Sequence, residues 1–487
     1  MRSFLKFTIR NLFLFILFCS IFYLSLRPIV DPDFWWHLRT GQLIVQTQEI
    51  PRADPFSFTA NAKQWVAHEW LSEFFIFKSF DAGGYGLLIF IFSGVITASF
   101  LFAYLRCSKE SKPYIAGFVL LLGAFTSAPI WGVRPQMFTL LFSSIFLFLL
   151  DRYRHNGNFR ILVPIPMLTI LWVNLHGGYI IGIVIVIIYI IGYLLEVAIL
   201  RYCRKEKIGA VTQKSLWILF SVLITTILAT LLNPTGLRIL TYPFETLTDS
   251  AMRTYIIEWF SPDFHQVIWQ PFALMLLLLI VAGMIGNRPI SITKILLTVV
   301  FGYGALRSMR HIPLFAIVAI PVLAEQFDSL IQFRPAAQEQ NRHFRYIASI
   351  AISAIAIVMG LGFIQVTNNQ QKSEAESFPK DAVDWIIENK SKGNLFNSYN
   401  WGGYIIWRLY PDYLVYIDGR ADLYGNEFVS NYTEIYFTKP GWEEKLNQEN
   451  IGFVIVESDS MLADALRQSP PWKELYEDNI SVIFSKD

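Results

Sequence analysis

Charged residues are scarce in this chain. Asp, Glu, Lys and Arg make up 16% of its 487 residues, whereas soluble domains carry about 25%. Hydrophobic residues reach 54%, a balance that excludes an ordinary soluble protein. The formal net charge is only +2, so the composition gives no basis for nucleic-acid binding.

Cysteine is also scarce, which excludes a disulfide framework and any CxxC metal site. The three cysteines are Cys19, Cys107 and Cys203. The histidines show no HExxH or HxxxH spacing either. We therefore predict no metal ligands and no resident cofactor. One alternative stays open, a divalent cation held by Asp31, Asp33 and Asp54.

Long apolar runs are abundant, and about 11 of them are long enough to be membrane-spanning helices. They lie near residues 9–27, 85–106, 113–131, 136–151, 161–175, 179–200, 215–232, 270–286, 293–307, 312–325 and 345–365. The first is expected to be an uncleaved span, because no small-residue cleavage motif precedes Pro28. We predict an integral protein of the plasma or inner membrane.

The loop charges predict the orientation of the chain. Cations concentrate in alternate loops, among them Arg106, Lys112, Arg152, Arg154, Arg201 and Arg288. Because cytoplasmic loops are rich in Lys and Arg, this pattern places the N-terminus in the cytoplasm. An odd number of spans then places the C-terminus on the outer face.

The composition becomes polar after Val366, which predicts a domain boundary. We predict a transmembrane domain over 1–365, a linker over 366–378 and a small soluble α/β domain over 379–487 on the outer face. Its strands are expected near 394–398, 413–418, 451–457 and 480–485. The outer loop 28–84 is expected to carry interfacial helices near 34–48 and 69–80, because both segments are amphipathic and bear Trp.

The first outer loop holds the sharpest candidate motif, Asp31-Pro32-Asp33-Phe34-Trp35-Trp36-His37-Leu38-Arg39. A carboxylate at a membrane face can act as a general base or bind a cation. The alternative is that Asp31 and Asp33 only cap a helix beginning at Phe34. Further along the loop, Asp54, Trp65, His68 and Glu69 belong either to the same site or to a turn-rich loop with a capped helix.

Three arginines at outer ends of spans run against the charge asymmetry of the loops. These are Arg134, Arg307 and Arg310, with His311 beside the last. Because guanidinium groups bind phosphate through two parallel hydrogen bonds, the placement favours a phosphate site. Contact with ordinary lipid phosphate is the alternative. His176 lies in a polar helix end that is either a packing turn or a cavity lining.

Two motifs of the soluble domain follow strands, where α/β folds often place sites. They are Asn400-Trp401-Gly402-Gly403-Tyr404 and Asp418-Gly419-Arg420-Ala421-Asp422. Turn chemistry explains their glycines equally well. The acidic pair of the second motif could hold a cation, although its spacing is unlike that of an EF-hand loop. Trp401, Asp418 and Arg420 are the candidate substrate-binding residues of this domain.

The early acidic loop, the two surface helices and the outer C-terminal domain together resemble the C-type glycosyltransferase superfamily. The first loop is most similar to that of the oligosaccharyltransferase catalytic subunit, whose Asp-x-aromatic-aromatic-His-x-Arg pattern matches Asp33 to Arg39. Two departures limit the resemblance. Asn400–Tyr404 lacks the Asp of that enzyme's Trp-Trp-Asp-Tyr-Gly motif, and Trp131–Arg134 lacks its metal-binding carboxylate pair.

The resemblance implies an inverting membrane glycosyltransferase that uses a polyprenyl-phosphate-linked sugar. Asp33 would be the catalytic base, with Asp31 beside it, and the outer arginines would hold the phosphate. The implied substrate-binding residues are His37, Arg39, Asp54, Trp65, His68, Glu69, Arg134, His176, Arg307, Arg310, His311, Trp401, Asp418 and Arg420. The acceptor is a glycan, a lipid or a protein. Two alternatives remain, a transporter or flippase of lipid-linked glycan and a non-catalytic glycan-binding or assembly protein.

Overall fold

The computed structural model describes residues 8–107, 112–203, 210–248, 254, 256–331 and 342–486. Every predicted apolar run is helical. The helices that contain these runs are Ile9–Ser25, Trp70–Cys107, Pro113–Ser127, Gln136–Asn156, Pro164–Leu175, Ile180–Cys203, Ala210–Thr230, Gln270–Ile285, Ile292–Arg307, Ile312–Leu330 and Arg342–Asn368. The predicted helical membrane fold is therefore confirmed in its main features.

Within the described residues, six helices are long and apolar enough to cross a membrane. They are Trp70–Cys107, Pro113–Ile130, Gly177–Ile199, Val267–Ile285, Met309–Leu330 and Tyr346–Asn368. The predicted count of about 11 is not confirmed, because several other helices are short. Pro164–Leu175 has 12 residues and extends about 18 Å, against a hydrocarbon core of about 30 Å. The orientation of the termini stays a prediction.

The chain forms two compact units, of which the first contains Met1–Arg27, Ile89–Gly236 and Glu258–Val366. Its most buried helix, Ile312–Leu330, contains Pro321. Proline has no N–H, so the carbonyl of Ile317 loses its helical partner. Arg106 replaces that partner, donating from Nη1 to the Ile317 carbonyl at 2.8 Å and from Nε to Asp151 at 2.7 Å. Arg106, a cation of a predicted inner loop, thus supplies the hydrogen bond that Pro321 cannot donate to this carbonyl.

The second unit contains Pro28–Leu88, Leu237–Ile257 and Thr367–Asp487. Its shorter helices are Asp33–Thr47, Tyr242–Thr248, Gln370–Ser377, Lys380–Asn389, Gly402–Leu409, Ala421–Tyr424, Asn426–Tyr436, Trp442–Gln448 and Met461–Gln468. The helix predicted near 34–48 is confirmed, while its position at the membrane surface stays a prediction. The sequence-based domain boundaries also stay predictions.

A four-stranded sheet lies in the second unit, in the order β1-β2-β4-β3. The strands are Asn394–Asn397 (β1), Ile451–Glu457 (β2), Trp472–Glu477 (β3) and Ser481–Lys486 (β4). β1 and β2 are parallel, and the other pairs are antiparallel. The sequence did not predict β3, because it is an exposed edge strand without an apolar face.

The strand predicted at 413–418 is wrong. The side chain of Asn397 binds this backbone in place of a strand, accepting from the Tyr416 N–H at 2.9 Å and donating to the Ile417 carbonyl at 2.8 Å. A single bridge joins Val415 to Ser57. The segment can be extended and buried because the Asn397 side chain and the loop at Ser57 make its backbone hydrogen bonds.

Candidate active site

Asp33 begins the helix Asp33–Thr47 in the second unit. Asp31 caps this end, since its Oδ1 accepts the Asp33 N–H at 2.9 Å. The Asp33 side chain has another partner, because its Oδ1 accepts from the indole Nε1 of Trp36 at 3.2 Å. Asp33 is half-buried. The two acidic residues therefore differ, with Asp31 acting as the cap and Asp33 held by an indole.

Both glycine motifs of the C-terminal region pack against the start of this helix. A Cβ added at Gly419 would lie 1.8 Å from Asp33 Oδ1, and one at Gly403 would lie 2.5 Å from the Pro32 carbonyl oxygen. Only glycine allows such an approach of backbone to side chain. The neighbouring Trp401 is buried and donates to the Ser377 carbonyl at 3.2 Å. The backbone of the two motifs thus packs directly against Asp33 and Pro32, and buried Trp401 holds the first motif in place.

A cluster of two histidines and two glutamates lies one turn further along, with His37 and Glu73 buried and His68 and Glu69 half-buried. Gly41 makes it possible, because a Cβ there would lie 2.0 Å from the Glu73 carbonyl oxygen. The helices Asp33–Thr47 and Trp70–Cys107 consequently approach closely. His37 lies 3.7 Å from Glu69 and 3.4 Å from Glu73, measured between ring nitrogen and carboxylate oxygen. Burial opposes the charge on His37, but these carboxylates raise its pKa above the ordinary value.

His68 is held as an imidazolium. Its Nδ1 lies 3.1 Å from the Val66 carbonyl oxygen and its Nε2 lies 3.1 Å from Glu69 Oε1. A carbonyl and a carboxylate accept hydrogen bonds, so both ring nitrogens must donate. Burial opposes the charge, but Glu69, Val66 and Asp422 together raise the pKa of His68 to about 9. At neutral pH the His68 imidazolium is therefore charged and paired with the Glu69 carboxylate.

Three further predicted site residues form one buried ionic network. Arg420 Nη1 lies 2.8 Å from Asp54, and its Nη2 lies 2.6 Å from Asp418. All three side chains are at most 1% exposed. Burial opposes the charge of Asp418, but Arg420 and the Tyr424 hydroxyl hold its pKa below the usual range. The three residues are therefore buried structural contacts and do not form an open binding surface.

The network supports Trp65, whose ring lies 4.7 Å from the Arg420 guanidinium carbon. Such a cation–π contact fixes the ring as a rigid platform. The Trp36 ring, whose indole donates to Asp33, packs edge-to-face on the Trp65 ring with 6.3 Å between the ring centres. Arg39 is separately bound, donating to the Tyr410 carbonyl at 2.7 Å.

A small polar pocket opens beside Trp65 within the second unit. Its lining residues are Gln64, Trp65, Val66, Arg238, Tyr242, Glu245, Asp422 and Leu423. The Tyr242 hydroxyl donates to Asp422, and its ring lies 4.6 Å from the His68 ring. Aromatic rings beside charged and amide groups suit a ligand with hydroxyl groups. Asp422 is the last residue of the motif that begins at Asp418, whereas Tyr242 belongs to no motif that the sequence analysis singled out.

In the first unit, two of the predicted cations contact neighbouring residues that the sequence analysis did not predict, Glu258 and Trp259. Both guanidinium nitrogens Nη1 and Nη2 of Arg134 donate to Glu258, the second at 3.1 Å. The guanidinium carbon of Arg310 lies 4.7 Å from the Trp259 ring. Burial opposes the charge of Glu258, but Arg134 and Arg310 lower its pKa. Glu258 is one of four acids in the segment 233–269, which is predicted to be an outer loop, and its spacing carried no signal.

The remaining predicted residues of the first unit differ in exposure. Arg307 is exposed and lies 3.4 Å from the Tyr303 hydroxyl. His311 is half-buried at the start of Ile312–Leu330. His176 Nδ1 accepts the Gly178 N–H at 2.8 Å and lies 2.7 Å from Thr139 Oγ1. These are the contacts of a packing turn.

No group of three or more His, Cys, Asp or Glu among the described residues is arranged to hold a metal ion. The open alternative of a cation on Asp31, Asp33 and Asp54 also finds no support in the contacts. Asp54 is paired with Arg420, and Asp31 caps a helix. Among the described residues, these three acids therefore do not form a metal site.

Comparison with known proteins gives structural neighbours and nothing by sequence. No family model and no curated protein matches the chain. The apo crystal structure of the Archaeoglobus fulgidus oligosaccharyltransferase superposes with a TM-score of 0.55 at 14% identity, over 94% of this chain and 70% of that chain. Oligosaccharyltransferase AglB from the same organism, in complex with an inhibitory peptide and a dolichol-phosphate, gives 0.54 at 13%, over 91% and 69%.

The mycobacterial arabinofuranosyltransferase AftD gives a TM-score of 0.53 at 13% identity, over 97% of this chain and 41% of that chain. This chain has the C-type glycosyltransferase fold. The resemblance drawn from the first outer loop is thereby confirmed for the fold. In this C-type glycosyltransferase fold, apolar helices make the chain an integral membrane protein.

Proposed function

We propose that this protein is an inverting membrane glycosyltransferase. It moves a sugar from a polyprenyl-phosphate donor to an acceptor on the outer face of the membrane. The observation that carries the proposal is Asp33, a half-buried carboxylate oriented by the Trp36 indole and framed by the backbone of Gly419. Its setting in a C-type glycosyltransferase fold supports the assignment, and one neighbour of that fold binds a dolichol-phosphate.

Asp33 acts as the general base of a single displacement. The acceptor hydroxyl oxygen attacks the anomeric carbon on the face opposite the phosphate, and the bond from that carbon to the phosphate oxygen breaks. The electron pair leaves on polyprenyl phosphate, and the hydroxyl proton passes to the Asp33 carboxylate. One displacement inverts the anomeric centre. A positioned base contributes about 10²- to 10⁴-fold to the rate.

Arg134 and Arg310, with Arg307, hold the phosphate and stabilise the charge that develops on it. Guanidinium groups suit this task because they keep their charge and bind phosphate oxygens through paired N–H groups. The pocket beside Trp65 takes the acceptor. His68 supports that pocket from behind, since its ring lies 4.6 Å from the ring of Tyr242, which lines the pocket.

The proposal is tested by the glycans of cells that lack this chain. Their envelope glycans are compared by mass with those of cells restored with the wild type, Asp33→Asn or Asp31→Asn. Wild type should restore one sugar residue to the glycans. The amount of glycan that carries this sugar should be at least about 10²-fold lower with Asp33→Asn. An asparagine in place of Asp33 keeps a side-chain oxygen that accepts from Trp36, so the folded amount should be unchanged.

Asp31→Asn is the matched control, because Asn caps helices about as well as Asp. It should restore more sugar than Asp33→Asn does. Full restoration by Asp33→Asn would refute the base assignment. A lipid-linked glycan that is complete but held on the inner face would instead indicate the flippase alternative.

A further inference from the structure

We infer that Glu258 is a displaceable counterion of the phosphate site, occupying Arg134 until the donor phosphate replaces it. The inference rests on the proposed function, since it takes the donor phosphate to be the ligand of Arg134. It adds a residue that decides how tightly that ligand binds. Glu258 lies in the first unit together with both arginines it faces.

The geometry of the pair matches the way a phosphate would bind. Glu258 accepts from both Nη atoms of Arg134, so its two oxygens occupy the positions that two phosphate oxygens would take. The pair is not sealed in the core, since the Arg134 side chain is 16% exposed and that of Glu258 is 33% exposed. A ligand approaching from solvent or lipid can therefore compete for the guanidinium.

The residues that follow Glu258 hold it over the arginines. We call residues 258–260 the strap. Ser308 Oγ donates to the Glu258 carbonyl at 2.9 Å, and the Met309 N–H donates to the Phe260 carbonyl at 3.0 Å. Between these two bonds, the Trp259 ring lies 4.7 Å from the Arg310 guanidinium carbon. The strap thus places an acid on one arginine and a ring on the other.

The charges favour exchange by phosphate. Burial opposes the charge of Glu258, but Arg134 and Arg310 lower its pKa, so it is ionised at neutral pH. A phosphate monoester carries about −1.5 to −2 at pH 7, more than one carboxylate. The charge that develops on the leaving phosphate therefore displaces Glu258 better than the donor's single charge does. After release, the carboxylate recaptures Arg134.

Binding of radiolabelled undecaprenyl phosphate to the full chain, in nanodiscs of uncharged lipid, tests the inference. Glu258→Gln should bind about 3- to 10-fold tighter than wild type, because more of the Arg134 side chain is available. Arg134→Gln should bind more weakly, and the double variant should bind like Arg134→Gln. Glu196→Gln is the matched control. Glu196 pairs with Arg154 at 2.6 Å at similar exposure, and its loss should leave binding unchanged within about 2-fold.

Distinct outcomes overturn distinct parts. If Arg134→Gln weakens binding while Glu258→Gln does not tighten it, the counterion role fails and the phosphate site stands. If Glu258→Gln tightens binding equally in the wild-type and Arg134→Gln backgrounds, removal of a negative charge alone explains the gain. That result also refutes competition between Glu258 and phosphate for Arg134. If Arg134→Gln binds as well as wild type, the assignment of Arg134 to the phosphate fails and the counterion role fails with it, while the proposed function is decided separately by Asp33→Asn.

Two further arms complete the test. Phosphatidylglycerol in the discs should not compete, and strong competition would overturn the donor assignment in favour of bulk lipid phosphate. If Glu258→Gln does not fold, Glu258→Asp replaces it. This variant keeps the charge but shortens the side chain by one methylene, so it should bind undecaprenyl phosphate more tightly than wild type. Equal or weaker binding would overturn the inference.

Discussion

Replacing Arg420 by Leu should destabilise the second unit strongly. The guanidinium makes ion pairs with Asp54 at 2.8 Å and Asp418 at 2.6 Å, and none of the three side chains is more than 1% exposed. Removing it leaves two buried carboxylates without a counterion. The loss of one partner from a buried ion pair costs about 3–5 kcal/mol. Trp65 also loses the cation beneath its ring.

Asp54→Asn is the milder comparison. Asn keeps an oxygen for the Phe56 N–H, which Asp54 Oδ1 accepts at 3.1 Å, and Arg420 keeps Asp418. The Asp54→Asn variant loses one charge and the bond from the Ser57 N–H, which Asp54 Oδ2 accepts at 3.0 Å. Its cost should be smaller, about 1–3 kcal/mol. The double variant should be more stable than the sum of the single effects predicts, because Asp54→Asn removes one of the orphaned charges.

Thermal unfolding of the purified variants, followed by tryptophan fluorescence, gives the ranking. Arg420→Leu should unfold at the lowest temperature of the single variants. A melting temperature of Arg420→Leu at or above that of Asp54→Asn would refute the assignment of a buried ionic network. Additive effects in the double variant would show that the two residues are not coupled.

Three other predictions concern His68, Gly419 and metal. His68→Gln should lower the melting temperature most below pH 6.5 and least above about 9, because the pKa raised to about 9 gives stability that is lost as the pH rises through it; an equal loss at both pH values contradicts this. Gly419→Ala should lower transfer at least about 10-fold, because its Cβ would lie 1.8 Å from Asp33 Oδ1; unchanged transfer contradicts the frame. Transfer should survive EDTA, and rescue by Mg²⁺ after loss would contradict the prediction that transfer needs no metal.

The helices could be predicted from the sequence because apolar length is a local property. The run at 312–325 lies within Ile312–Leu330, where burial is nearly continuous. The strand at 413–418 could not be judged in this way. Its residues have strand propensity, but the hydrogen bonds of Asn397 decide its state, and a distant side chain leaves no local trace.

The residues of the candidate site also fall into those that a local motif predicts and those that only contacts in the fold reveal. Asp33 could be singled out because a carboxylate beside two Trp residues at the end of a span is a local motif. The roles of Asp54 and Asp418 were not separable from those of ligands, since an acid buried against Arg420 and an acid open to substrate look alike in sequence. Glu258 was missed for the opposite reason, because its spacing from the other acids of its loop follows no motif, and only its contact with Arg134 distinguishes it.

The most direct test of the account is the turnover of the lipid-linked sugar by purified protein. Wild type, Asp33→Asn and Asp31→Asn are placed in nanodiscs with lipid extract from cells that lack the chain. Mass spectrometry then follows the conversion of polyprenyl-phosphate sugar into polyprenyl phosphate in the presence of the envelope acceptor. We predict conversion by wild type, reduced at least about 10²-fold in Asp33→Asn and less in Asp31→Asn. Conversion by Asp33→Asn at the wild-type rate would contradict the central claim.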